Sequence, residues 1–125
     1  MELSELKYPS MRDELIGYVD ALASKEYQAS AWVSGGGAAE HDELDYAIHF
    51  LYDDTSLATN PNKAIGWFLK DEREAEAVKR LIVALDKVFE VHGTDLDDAA
   101  YIASHEWNDV VAAAAGVQEA LRDLR

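Results

Sequence analysis

At 125 residues and 49% apolar content, the chain can bury one core without covalent staples and is too apolar for disorder. It contains no cysteine, which excludes disulfides, thiolate zinc sites and cysteine nucleophiles. Its net charge of −14 speaks against nucleic acid and anionic membranes as partners and for cationic ones.

The charge is concentrated. Between Lys25 and Lys63 there are seven acids and no lysine or arginine, and the same holds between Lys87 and Arg122. These two windows hold the whole excess; elsewhere 11 acids face 11 bases. Such a distribution serves either as a solubilising surface or as a field that steers a cationic partner.

Tyr8-Pro9-Ser10 opens the first element, with Ser10 as N-cap and Asp13 and Glu14 in the first turn. Met11, Leu15, Tyr18, Val19 and Leu22 follow helical spacing. Ser24 caps a second short helix through Tyr27, Ala31 and Trp32, unless the two are one bent helix. Gly35-Gly36-Gly37 ends it, because three glycines cost too much backbone entropy. No Gly-Lys-Ser/Thr follows, so this is a loop and not a phosphate cradle.

From His41 to Thr55 an acidic first turn leads into the stripe Leu44, Ala47, Ile48 and Leu51, which reads as a helix. Asn60-Pro61 starts a short turn that buries Ala64, Ile65, Phe68 and Leu69, with Gly66 and Trp67 close by. The clearest helix spans about 71–91, with Ala75, Val78, Leu81, Ile82, Leu85, Val88 and Phe89 on one face and His92-Gly93 as its stop. Thr94 or Asp95 caps a short helix around Tyr101. Ser104 caps the last one, whose buried face is Trp107, Val110, Val111, Ala114, Val117 and Leu121. The alanine run at 112–115 suggests close helix approach. No repeat or linker interrupts the pattern. The expectation is an all-α, compact single-domain bundle of about five to seven helices over 1–125. The acidic N-terminus lacks the pattern of a signal peptide, so the expected location is the cytoplasm.

His41, Asp45, His49 and Asp53 recur every four residues, which on a helix alternates imidazole and carboxylate along one line. Asp45, His49 and Asp53 could therefore hold a divalent metal for binding or hydrolysis, although helix-surface ion pairing gives the same pattern and no His-Glu-x-x-His accompanies it. Glu40-x-x-Glu43 matches half of the magnesium motif of all-α nucleotide pyrophosphohydrolases, but no glutamate lies between Glu43 and Glu72 to complete it. No serine is visibly paired with a histidine and an acid, and no cofactor motif is present.

Asp53 and Asp54 end a helix, where carboxylates face the negative pole of the dipole and cost stability. Residues that break a local rule often mark a site. Asp95, Asp97 and Asp98 form a second acidic knot, and if the two knots meet they make one anionic face.

The run His49-Phe50-Leu51-Tyr52-Asp53-Asp54-Thr55, with Pro61-x-x-Ala64-Ile65-Gly66, Asp98-Ala99-Ala100-Tyr101 and Trp107, resembles a group of short uncharacterised bacterial proteins. That resemblance covers the chain from about Tyr8 onward and implies a small independent domain with no assigned activity. In size and acidity the chain is also similar in type to immunity proteins of bacterial toxin systems, which implies masking of a basic partner.

The expected function is therefore a non-enzymatic acidic interaction protein that binds and neutralises a basic protein, with no cofactor, nucleic acid or membrane. The expected contacts are Asp53 and Asp54, then Asp42, Glu43 and Asp45, then Asp95, Asp97 and Asp98, with Tyr46 and Tyr52 as aromatic anchors. A homo-oligomer is left open.

Overall fold

Helix α4 (Glu72–His92), the longest among the described residues, is the spine; it packs chiefly on the last helix, against which the first helix also packs. The computed structural model describes residues 5–33, 44–55, 57–94 and 96–122, with the side chain of Asp45 outside that description. Before α4 come α1 (Pro9–Leu22), α2 (Lys25–Tyr27) and α3 (Leu44–Ile48). After it come α5 (Asp98–Ala103) and α6 (Trp107–Arg122). π-Helical turns extend α2 over Gln28–Val33 and α3 over His49–Asp54, and a 3-10 turn covers Pro61–Ala64. Among the described residues the only β-type pairing is an isolated bridge between Ile65 and Leu69, so the fold is all-α.

The spine forms where its stripe demands. Asp71 Oδ1 accepts from Glu74 N at 3.0 Å, and acids in the first turn suit the dipole. Ala75, Val78, Leu81, Ile82, Leu85 and Val88 are buried on one face, with Phe89 at its edge. Gly93 stops the helix at φ 78°, a left-handed conformation that glycine adopts without Cβ strain. The face packs chiefly on α6, where Trp107, Val110, Ala114, Val117 and Leu121 are buried.

Helix α1 starts one residue before the expected cap. Tyr8 is the N-cap and makes no side-chain cap bond, while Pro9 takes the first turn, where its fixed φ and missing N–H suit it. Ser10 is thus inside the helix, and Asp13 and Glu14 fall beyond its first turn. Ser24 does cap α2, its Oγ accepting from Tyr27 N at 3.1 Å, so α1 and α2 are separate helices. Gln28, fully buried, joins three elements. Its Nε2 donates to Ala21 O and Leu22 O at 2.9 Å, closing the end of α1, and its Oε1 accepts from Trp107 Nε1 at 2.9 Å.

A buried charge cluster pins the opposite end. Arg12 donates to both oxygens of Glu74, at 2.8 and 2.9 Å, and to the carbonyls of Phe68 and Leu121 at 3.0 and 3.1 Å. Lys70 adds its backbone N–H to Glu74 Oε1 at 2.7 Å and its Nζ 3.4 Å from Oε2. Every donor and acceptor here has a partner, the condition under which buried ions are tolerated.

Three further expectations change. Asp97, and not Thr94 or Asp95, caps α5, its Oδ1 accepting from Ala100 N at 2.9 Å. Ser104 ends α5 and donates to Tyr101 O at 2.7 Å; the last helix begins at Trp107. Only Ala114 of the alanine run is fully buried, so close approach is a single point and not a stripe. Trp67 is about half exposed against Tyr8, edge to face at 6.1 Å. The Gly35–Gly37 loop lies outside the described residues. No helix among the described residues is long and apolar enough to cross a membrane.

Candidate functional site

A cleft of about 820 Å³ opens beside α3 and α4. One wall is α3 with its π-helical extension, which contributes Leu44, Ile48, Tyr52 and Asp53. The second half of α4 supplies Asp86 and Phe89, and Thr94, residues 96–99 and Tyr101 form the facing wall. Trp32, from the other π-helical segment, closes one end. Both π-helical segments thus border the same cleft. Such segments are uncommon and concentrate at functional sites.

The floor is aromatic. Phe89 meets Tyr52 edge to face at 6.4 Å and Tyr101 at 5.6 Å, linking the two walls. Tyr101 is buried, and its hydroxyl donates to Gly93 O at 2.7 Å, which fixes the start of the facing wall to the end of α4. The walls are also tied directly, because Leu44 N donates to Asp98 Oδ2 at 3.1 Å.

Four carboxylates border the cleft: Asp53, Asp86, Asp97 and Asp98. Among the described residues no lysine, arginine or histidine lines it. Each carboxylate is held by a neighbour. Asp86 Oδ1 accepts from Tyr52 Oη at 2.5 Å, Asp97 and Asp98 accept from backbone N–H groups, and Asp53 Oδ2 lies 2.7 Å from His49 Nδ1. Burial, and then the hydrogen bond to Asp86, push the Tyr52 phenol far above its ordinary pKa, so it remains a neutral donor. Asp86 and Asp97 are therefore oriented by neutral donors, which position the charge without cancelling it. An ionised carboxylate has about four acceptor sites, so these two keep room for further donors.

The cleft brings together part of the expected set. Asp53 from the first acidic window and Asp97 and Asp98 from the second line one concavity, with Tyr52 between them. Asp54 is exposed but does not line the cleft, and Tyr46 is 44% exposed elsewhere. The segment ends at Asp54, as expected, and Thr55 caps it, its hydroxyl donating to Phe50 O at 2.6 Å. Asp42, Glu43 and Asp95, with Glu40 and His41, lie outside the described residues, as does the side chain of Asp45. For the metal expectation, the structure places His49 and Asp53 together as an exposed i,i+4 pair. Among the described residues no cluster of three or more histidine or acidic side chains is arranged to hold a metal ion.

The sequence pointed to neither Asp86, Phe89 nor Trp32 as site residues. Asp86 immediately precedes Lys87 and so falls just outside the second acidic window. Its one available signal is position: it lies one α-turn before Glu90 and three residues before Phe89, on the margin of the apolar stripe.

The chain matches, over residues 6–124, the model of a family described as a domain of unknown function, DUF7945. It belongs to that family. No curated protein and no solved structure gives a significant match to it.

Proposed function

We propose that the protein is a non-enzymatic binding module that neutralises or regulates a basic protein, which it holds at the acid-bordered cleft. The observation that carries this reading is the composition of the cleft among the described residues: four carboxylates, an aromatic floor and no basic side chain. An anionic concavity with low-dielectric walls focuses the field of the whole molecule, whose net charge is −14, and raises the association rate of cationic partners. The aromatic floor supplies anchoring area that a merely solubilising surface lacks. Masking of basic proteins in the manner of toxin-immunity pairs is the role this chemistry fits.

The test compares the wild-type protein with Asp53→Asn/Asp86→Asn, two changes that keep side-chain shape. Both are immobilised and exposed at low salt to lysate of the native host, then eluted with a salt gradient. A basic protein retained by the wild type and lost from the variant supports the reading. Equal retention by both proteins, or none by either, refutes it.

A further inference from the structure

The cleft is a pocket and not a flat acidic face, and its chemistry specifies more than positive charge. We infer that it receives a single arginine side chain of the basic partner, the guanidinium lying among the carboxylates against the aromatic floor. This inference rests on the proposed cleft-binding function.

Three observations favour arginine. First, the carboxylates stand on both sides: Asp53 and Asp86 belong to one wall and the spine, Asp97 and Asp98 to the opposite wall. A guanidinium has five N–H donors in a planar fork and can engage acceptors on two sides at once, whereas an ammonium is a compact point charge. Second, the span between the acids is filled by Tyr52, Phe89 and Tyr101. Guanidinium stacks on aromatic faces and is desolvated more readily than ammonium. Leu44, Ile48 and Leu96 give the alkyl stem an apolar path.

The third observation is independent of charge. Among the described residues, Trp32 Nε1 is the buried side-chain polar atom without a hydrogen-bond partner, and Trp32, 8% exposed, lines this cleft. The other tryptophan at the core, Trp107, has its Nε1 satisfied by Gln28. An indole N–H can only donate; with no exposed surface of its own, the Trp32 Nε1 meets an acceptor in the cleft once the ring turns toward it, and the orphan gives that turn a reason. A peptide segment carrying the arginine brings carbonyl oxygens with it, which a free cation does not. At about 820 Å³ the cleft has room for a side chain and adjoining backbone.

The experiment titrates the full chain with three capped peptides, acetyl-Gly-Arg-Gly-amide and its lysine and citrulline counterparts, at up to millimolar concentration. The readout is the two-dimensional amide and indole NMR spectrum, in which Trp32 gives its own indole N–H signal. The expected result is saturable movement of the Trp32 indole signal and of the amides around Ile48, Tyr52 and Tyr101 with the arginine peptide. Citrulline, nearly isosteric but neutral, and lysine should each bind about tenfold more weakly. Asp53→Asn/Asp86→Asn should weaken the arginine peptide by a similar factor. Equal binding of the lysine peptide, or of citrulline, would overturn the arginine assignment. If no peptide binds while the wild-type protein still retains a basic protein that the variant loses, the inference fails and the cleft function stands. If both experiments are empty, both fall.

Discussion

Removing Arg12 tests whether the buried charge cluster is held as its geometry says. Arg12→Met keeps an unbranched side chain of similar reach but deletes the two bonds to Glu74 and leaves the Phe68 and Leu121 carbonyls without this donor. Breaking a buried ion pair costs about 3–5 kcal/mol. Here Lys70 still faces Glu74, with its Nζ at 3.4 Å, so a one-to-one charge balance survives and the low end, about 3 kcal/mol, is expected. Glu74→Met should cost more, because it takes from two buried cations, Arg12 and Lys70, the carboxylate they share. A domain of this size has roughly 5–15 kcal/mol of stability in total, so either loss is a large share of it. Urea unfolding followed by far-ultraviolet circular dichroism gives both numbers, with an unchanged m-value marking a change in stability alone. A cost below about 1 kcal/mol for Arg12→Met would mean that water screens the pair as it screens surface ion pairs. Equal costs for the two variants would mean that Lys70 does not share the charge.

Other outcomes follow from single contacts. Trp107→Phe should destabilise more than Trp32→Phe, by about 1–3 kcal/mol, since only the first leaves a buried acceptor, Gln28 Oε1, unsatisfied; paired urea titrations measure the difference. Gly93→Ala should cost about 1 kcal/mol through its positive φ alone, because a Cβ there meets no atom within 4 Å; thermal melts of the two proteins check it. The hydrogen bond from His92 holds the Glu106 carboxyl below its usual pKa, so its contribution is present above the unfolded value and is lost as pH falls through the lowered one. Glu106→Gln should therefore lower the melting temperature at neutral pH, and the gap to wild type should close in acid. Tyr52, with its raised pKa, works in the opposite sense: stability should fall as pH rises above about 10, and Tyr52→Phe should flatten that limb.

What could be read from the chain was what local rules decide. The spine was legible because its stripe holds the 3.6-residue period for about four turns and the helix closes on His92-Gly93. Ser24 and Asn60-Pro61 were legible because an extended residue with a side-chain acceptor precedes each turn. Ser10 failed as a cap because Pro9 had already claimed the first turn, and Ser104 because its hydroxyl turned back to the Tyr101 carbonyl. The cleft was half legible. Both acidic knots and Tyr52 stood out as rule-breaking or clustered residues, but Asp86 looked like any helix-surface acid beside a lysine. Trp32 looked like core, and is core; only three-dimensional bookkeeping shows that its indole N–H is left over. That Asp98 reaches across to Leu44 N depends on 54 residues of intervening chain, which no local pattern encodes.

The two π-helical turns carry a consequence for how this cleft can change. Each holds its residues in i→i+5 pairing, a wider turn than the α-helix around it. A wider turn is in effect one residue stored inside a helix. Losing that residue would restore α-helical winding and leave the flanking residues in register, whereas the same loss from a regular helix would swing everything downstream by about 100° about the axis. Around His49–Asp54 such a deletion would change which side chains the turn itself presents, Tyr52 and Asp53 among them, while the hydrophobic face upstream, at Leu44 and Ala47, stayed in place. Relatives that differ by a single inserted or deleted residue in either segment would therefore share this fold and present a different set of side chains to whatever enters it.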